Sequence, residues 1–352
     1  MSITKKIITA SILLTALVSS SFAKPKAKKA QASKNADTIK IVTTIFPEYD
    51  WTREIIGTQS ANTDLTLLMN NGTDLHSYQP SIQDIAKIST ADIFIYVGGE
   101  SDGWVKDALK NVRNKNIIAL NLMEILGDKV REEEIIEGMQ AEEDEEEEHH
   151  HEHHHDGEAE DHEEGHHHGD DEEIEYDEHV WISLRNAKIC CNAICQALCK
   201  TAPENAAEYK TNLEAYSKKL DDLDTRITQT VSASTQKTLL FGDRFPFRYF
   251  VDDYSLNYYA AFVGCSAETE ASFETIIFLA KKVDELGLNS VCQIESGTGK
   301  IARTIIQSSK NKNAAILTFD SLQSVNSTDI KNGTTYLTIM EKNLEVLKKA
   351  LR

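Results

Sequence analysis

Ten of the chain's twelve histidines lie in one short segment, Glu142–Glu178, which also contains 21 Asp or Glu residues and no Lys or Arg. Imidazoles bind Zn, Cu, Ni or Fe, and the carboxylates add oxygen ligands and attraction for cations. Such a polar segment buries too little apolar surface to offset its ordering entropy. We therefore predict a disordered loop that gathers metal ions; the plainer interpretation is a solvated acidic linker.

The two remaining histidines, His76 and His179, lie in sequence that is typical of a folded domain. His76 belongs to the turn-rich stretch 72–81 (GTDLHSYQPS), and His179 belongs to the stretch 177–183 (DEHVWIS). His76 is expected in a loop beyond the carboxyl end of a strand, where ligands of α/β sheets usually bind. Either histidine alone could be a surface or core residue, but together they predict a folded metal site.

A zinc-dependent hydrolase is the main alternative from another functional class. Its zinc would have three protein ligands and a bound water, with Glu178 beside His179 as a general base. The chain has no HExxH, GxSxG or Walker loop, and the stretch 297–300 (GTGK) lacks the upstream glycine of a phosphate loop. The sequence therefore favours metal capture without catalysis. A plain metal buffer with no transporter is a third interpretation.

Strand-like and helix-like runs alternate along both halves of the chain, which predicts an α/β fold with parallel sheets. Eight strands are predicted, at 38–46, 65–69, 91–97, 117–122, 238–241, 258–262, 290–294 and 315–319, and Ser81 is the expected N-cap of the helix after the second. Residues 204–232 have apolar side chains at helical spacing and no Gly or Pro, so one long helix is expected there. We predict an N-terminal lobe at 38–203 that contains the His-rich loop at 137–176, a linking helix at 204–232, and a C-terminal lobe at 233–352. The metal site is expected in the cleft between the lobes.

Residues 1–23 have the pattern of a cleavable signal peptide: Lys5 and Lys6, an apolar run shorter than the ~20 residues of a membrane span, and a small-residue cleavage site. No cysteine lies near that site for lipid attachment, and residues 24–37 form a polar, flexible lead-in. We therefore expect a periplasmic protein. Discounting the 21 carboxylates of the acidic segment changes the formal net charge from −20 to +1, so no basic nucleic-acid-binding face is indicated.

All six cysteines lie beyond the predicted signal peptide. Cys191, Cys195 and Cys199 recur every four residues on a predicted helix, which favours small buried packing residues over a zinc site, because no CxxC pair accompanies them. A Cys265–Cys292 disulfide is compatible with an oxidising compartment, but the sequence does not determine the connectivity.

Over essentially its whole mature length the chain resembles the zinc/manganese-binding proteins of ATP-binding-cassette metal importers. The resemblance rests on the stretches around His76 and His179, on the His- and acid-rich insertion before the second histidine, and on the long helix between the lobes. It implies one metal buried between two α/β lobes, a membrane permease as partner, and no enzymatic activity. We also expect a monomer that does not bind nucleic acid.

The resemblance further implies four metal ligands, two of which match His76 and His179. The third family ligand, commonly His or Glu, follows the first strand of the second lobe; the sequence has no histidine there, and Asp243 is the nearest carboxylate. The fourth is an acid matched by Asp320 in the stretch 319–322 (FDSL). The plainer role of Asp243 is an N-cap or a partner of Arg244, and that of Asp320 is helix or turn capping. Three other acids are kept as reserves: Glu295, Glu268 and Glu270.

Two imidazoles and two carboxylates suit a four-coordinate Zn²⁺, and they tolerate Mn²⁺ if the carboxylates bind in a bidentate manner. The histidine-rich loop favours zinc, because imidazoles hold Mn²⁺ weakly. The expected function is therefore an extracytoplasmic high-affinity zinc receptor of an importer, with a manganese receptor of the same type as the alternative.

Overall fold

The computed structural model describes residues 38–140, 175–266 and 270–352. The predicted signal peptide, the lead-in, nearly all of the His-rich loop and Glu268 lie outside these residues. The described residues belong to one compact unit, so the predicted boundaries of the lobes stay predictions. Within the described residues, every helix falls short of the length and apolar character that a membrane span requires.

Four parallel strands form the N-terminal sheet in the order β2-β1-β3-β4. The bounds are β1 Ile39–Thr43, β2 Thr63–Leu67, β3 Ile93–Tyr96 and β4 Ile118–Asn121. Helices flank the strands: α1 Phe46–Ile56, α2 Ile82–Ser89, α3 Val105–Lys110 and α4 Leu122–Leu126. The apolar run of β3 is buried along Ile93–Ile95, as expected for a strand covered on both faces. Ser81 caps α2 as predicted, accepting the backbone N–H of Asp84.

The C-terminal sheet repeats this arrangement, with parallel strands in the order β6-β5-β7-β8. The bounds are β5 Thr238–Phe245, β6 Asn257–Val263, β7 Ser290–Ile294 and β8 Ala315–Phe319. Its helices are α7 Arg248–Tyr254, α8 Phe273–Glu285, α9 Lys300–Ser308, α10 Ser327–Lys331 and α11 Tyr336–Ala350. All eight predicted strands are therefore present, and the α/β fold class is confirmed.

Two long helices precede the second sheet: α5 Leu184–Thr201 and α6 Ala206–Ala233. The 28-residue α6 is the predicted linking helix, and its periodic apolar residues, such as Tyr216 and Leu220, are buried. Its polar face makes ion pairs with both halves: Lys219 lies 3.4 Å from Glu54 of α1, and Arg226 lies 3.1 Å from Glu341 of α11. One helix thus packs against both lobes.

The main hydrophobic core is shared by the two lobes. One continuous cluster includes Ile41 and Ile95 from the first sheet, Phe241 and Phe319 from the second, and Trp181 between them. The indole N–H of Trp181 donates to the carbonyl of Ser321 at 2.9 Å, so this shared core also contains a satisfied polar contact. The carboxyl edges of both sheets are held together above this core.

Candidate metal centre

His76 lies in the loop after β2, at the carboxyl edge of the N-terminal sheet. It belongs to the 3₁₀ turn Leu75–Ser77, which Asp74 caps by accepting the backbone N–H of His76 at 3.1 Å. The Nδ1 atom is 2.9 Å from the hydroxyl of Ser101 and 3.5 Å from a carboxylate oxygen of Glu178. Because Nδ1 of His76 faces Ser101 and Glu178, Nε2 is the ring nitrogen that remains available to a metal.

His179 is fully buried at the approach to α5. The Oδ1 atom of Asp177 accepts its backbone N–H at 2.8 Å and lies 3.0 Å from its Nδ1. A carboxylate that binds the Nδ1 proton leaves a lone pair on Nε2, which is the usual support for a zinc-binding histidine. Gly264 leaves room for the ring, because a Cβ at that position would lie 3.0 Å from the ring atoms Cε1 and Nδ1.

The Nε2 atoms of His76 and His179 are 3.2 Å apart, although the residues are 103 positions apart in sequence. Two nitrogen ligands on one tetrahedral zinc, each at ~2.0–2.1 Å, would be about 3.3 Å apart. The two Nε2 atoms therefore already have the separation that two ligands of one zinc ion would have.

The two imidazoles differ in proton affinity. Burial and then the neighbouring His179 lower the pKa of His76 to about 4. Burial by itself would also lower the pKa of His179, but the Asp177 carboxylate outweighs it and holds that pKa above its ordinary value. At neutral pH His76 is therefore neutral, and Asp177 stabilises positive charge on the ring of His179.

Cys265, in the turn after β6, is a third potential ligand. Its Sγ, one ring nitrogen of His76 and one ring nitrogen of His179 all lie within 4.8 Å of one another. Its backbone N–H donates to Glu133 at 3.2 Å. Burial and then the charge of Glu133 raise the pKa of the thiol, which favours its protonated form when no cation is bound.

Sequence reasoning did not include Cys265 among the candidate ligands and considered it only as a disulfide partner of Cys292. That disulfide is absent: both residues are free thiols, and Cys292 is buried in β7. The position of Cys265 could have identified it as a candidate, because Gly264 and Cys265 lie just after a predicted strand of the second lobe. Residues at such a strand end share an edge with the other loops of the sheet.

Asp243 lies within β5, where the register of the strand is irregular, and Asp320 directly follows β8; both are outside the group of three potential ligands. Asp243 accepts the backbone N–H of Arg244 at 2.9 Å and that of Ile294 at 3.3 Å. Asp320 accepts the backbone N–H of Leu322 at 2.9 Å. Asp320 thus makes the turn-capping hydrogen bond named as its plainer role, and Asp243 is bonded to the backbone of its neighbour Arg244. Ligation of a metal by either carboxylate stays a prediction.

The reserve acids have other partners or lie outside the described residues. Glu295 accepts the backbone N–H and the hydroxyl of Ser321, each at 2.8 Å. Glu270 is exposed and lies 2.8 Å from Lys300. Glu268 is not among the described residues.

The cysteines of α5 pack as predicted. Cys190, Cys191 and Cys195 are buried on the helix, Cys199 is half-buried, and all four are free thiols. The prediction of small packing residues is confirmed.

Two parallel α/β lobes joined by one long helix, with paired histidines at their facing edges, are the architecture of a solute-binding protein. A family profile described as "ZnuA: Zinc-uptake complex component A periplasmic" matches residues 41–350, and the chain belongs to this family.

Individual relatives agree with this assignment. Zinc-binding protein AdcA of Streptococcus pyogenes serotype M3 is 30% identical over 310 residues, which are 88% of this chain and 55% of AdcA. The chain thus spans about half the length of that relative. High-affinity zinc uptake system protein ZnuA of Bacillus subtilis is 27% identical over 323 residues, 92% of this chain and 91% of that protein. The crystal structure of the Zn(II)-bound ZnuA-like domain of Streptococcus pneumoniae AdcA has the same fold, with a TM-score of 0.64 at 24% identity, covering 89% of this chain and 99% of that domain.

Proposed function

We propose that this chain is an extracytoplasmic receptor that binds a zinc ion with high affinity and delivers it to the permease of an ATP-binding-cassette importer. The observation that carries the proposal is the 3.2 Å separation of the Nε2 atoms of His76 and His179, with Asp177 behind the second ring. The family description and the zinc-binding relatives support zinc as the cargo. The signal-peptide pattern of residues 1–23 supports export to the periplasm without lipid attachment.

The position of Glu178 supports binding without catalysis. A general base must reach a metal-bound water. One oxygen of Glu178 accepts the backbone N–H of Ser101 at 2.8 Å, and the other lies 3.5 Å from Nδ1 of His76, on the ring edge away from the metal-binding Nε2. The side chains of His179 and His76 are 0% and 13% exposed, which leaves little access for a substrate. A hydrolase would need a more open site.

The proposed ligands are His76 and His179, with Asp243 and Asp320 as the predicted sources of oxygen. The His-rich segment 142–175, of which only Glu175 belongs to the described residues, is proposed to gather zinc for this site. Its ten histidines outnumber the two of the folded site, so we expect it to bind several ions weakly.

Competition titration of the full chain with zinc and a chelating dye tests this proposal. We expect one tight site and several weak ones, and deletion of residues 142–175 should leave only the tight site. The double variant His76→Ala/His179→Ala should lose the tight site and keep the weak ones. Asp243→Asn and Asp320→Asn, measured separately, test each predicted acid. Tight binding that survives in the double histidine variant would contradict the proposal.

Delivery is tested separately from binding. Cells that lack their own zinc importer should take up zinc when this chain is expressed together with its permease and ATPase, and not when the double histidine variant replaces it. Uptake that is the same with either chain would support a metal buffer without a transport role.

A further inference from the structure

We infer that Cys265 supplies a thiolate ligand to the bound ion, so that the site accepts thiophilic divalent cations and discriminates against manganese. This inference rests on the proposed function, because it specifies which ions the same site holds. It also changes the expected ligand set from two imidazoles and two carboxylates to two imidazoles, one thiolate and one oxygen.

Geometry is the first support. The Sγ atom of Cys265 lies within 4.8 Å of one ring nitrogen of His76 and of one ring nitrogen of His179. On a tetrahedral zinc, a sulfur at ~2.3 Å and a nitrogen at ~2.0–2.1 Å would be about 3.5 Å apart. A movement of roughly 1 Å, within the adjustment of one side chain, would therefore bring all three atoms onto one ion. No second group of three such residues is as close within the described ranges.

The surrounding backbone holds Cys265 in this position. Its N–H donates to Glu133, and the preceding Gly264 lies against the ring of His179. A Cβ at residue 264 would lie 3.0 Å from two atoms of that ring, so any side chain there would press on His179. The turn therefore positions the thiol beside the histidine pair through local contacts.

Charge is the second support. Two neutral imidazoles bring no negative charge to a divalent cation. The Asp74 carboxylate next to His76 is 2.8 Å from the guanidinium of Arg244, which offsets its charge. Asp243 and Asp320 lie outside the group of three. A thiolate at residue 265 would be the anion in direct contact with the ion, and it leaves one coordination position for either aspartate.

The ligand chemistry determines the selectivity. When the ion binds, the S–H bond of Cys265 breaks, a metal–sulfur bond forms, and the proton leaves to water; no electron is transferred. Thiolates favour zinc and other soft or borderline ions, whereas manganese prefers carboxylate, carbonyl and water oxygens. Replacement of the thiol proton of Cys265 by the metal ion is therefore favourable for zinc and cobalt and unfavourable for manganese.

Cobalt(II) absorption of the full, metal-free chain tests this inference. Residues 141–174 contain no cysteine, so a sulfur-to-cobalt charge-transfer band reports only on the rest of the chain. We expect this band at one cobalt per chain in the wild type and in the control Cys199→Ser, whose half-buried thiol lies on α5. The variant Cys265→Ser should lose the band, and its affinity ratio of zinc to manganese should fall on the order of 10–100-fold.

X-ray absorption at the zinc edge of the wild type gives a second measurement that needs no variant. We expect one sulfur at ~2.3 Å from the zinc. A wild type that binds one zinc tightly with no sulfur neighbour and no charge-transfer band would overturn the thiolate and leave the receptor proposal standing. A band lost in Cys199→Ser and kept in Cys265→Ser would also overturn it. If the wild type has no tight zinc site, the proposed function itself fails.

Discussion

The guanidinium of Arg244 lies 2.8 Å from the carboxylate of Asp74, which joins strand β5 of the second lobe to the loop that carries His76. The same guanidinium donates to the backbone carbonyl of Ser266 at 3.3 Å, beside Cys265. Arg244 also contributes to the low pKa of His76, because its positive charge disfavours a second positive charge nearby. One side chain therefore connects the two lobes and opposes a cation at the site.

Replacing Arg244 with methionine should separate these two effects. The metal-free protein should lose about 1–2 kcal/mol in its free energy of unfolding, since a partly buried charged hydrogen bond is removed. Zinc should bind roughly tenfold more tightly, because the carboxylate of Asp74 is no longer offset. Urea unfolding and zinc competition measure the two changes. The control Arg131→Met, at an exposed pair with Asp252, should change neither. Weaker zinc binding in Arg244→Met would contradict this account.

Asp177→Asn should weaken zinc binding by about 10–100-fold, because the carboxylate behind Nδ1 of His179 orients the ring and raises its basicity. Calorimetric titration with zinc measures the loss. Asp253→Asn is a suitable control: Asp253 is a partly buried acid of α7, away from the site, and it accepts the hydroxyl of Ser183, the N-cap of α5, at 2.6 Å. Equal zinc affinity of Asp177→Asn and wild type would show that His179 needs no such support.

Zinc should stabilise the folded chain. At a free zinc concentration of about 1,000 times the dissociation constant, the free energy of unfolding should rise by about 4 kcal/mol. Denaturant unfolding with and without zinc measures this on the chain that lacks residues 142–175, because histidines there could also bind zinc in the unfolded state. His76→Ala/His179→Ala in the same background should show no stabilisation. Stabilisation that persists in that variant would place the ion elsewhere.

The stability of the metal-free protein should fall as the pH rises from about 5 to about 8, with Glu48 as a main cause. Burial, and then the charge of Asp102, raise the pKa of Glu48 from 4.5 to about 8. Between these values the folded state holds a proton that the unfolded state has lost, so folding is favoured at the lower pH. Glu48→Gln should remove on the order of 3–5 kcal/mol of this dependence. Urea unfolding of the wild type and of Glu48→Gln at pH 5 and at pH 8.5 tests this prediction. The same change in the free energy of unfolding between the two pH values in both proteins would contradict the assignment to Glu48.

The fold could be predicted because the alternation of apolar runs is strong in both halves. The errors have local causes. The second strand is Thr63–Leu67, whereas the prediction was 65–69, because β2 is an edge strand on which Asp64 is exposed. The helices α4 and α10 were missed since each has only five residues, too few for a periodic pattern.

The candidate site was only partly accessible to sequence reasoning. His76 and His179 stood out because the folded body has no other histidine. Cys265 did not, since no second cysteine at zinc-ligand spacing accompanies it. The contact of Arg244 with Asp74 joins positions 170 apart, and no local pattern announces such a pairing. Side chains that meet only after folding are the ones that the sequence left undetermined.

The apolar core shared by both sheets limits how a bound metal ion can leave the site. Swinging the halves apart would expose side chains such as Trp181 and Phe241 to water, at about 25 cal/mol for each Å² uncovered. Release of a bound ion should therefore proceed by a local movement of the two turns that carry His76 and Cys265 while the apolar core stays closed. A membrane partner that binds those two turns and moves them would then be sufficient to release the ion.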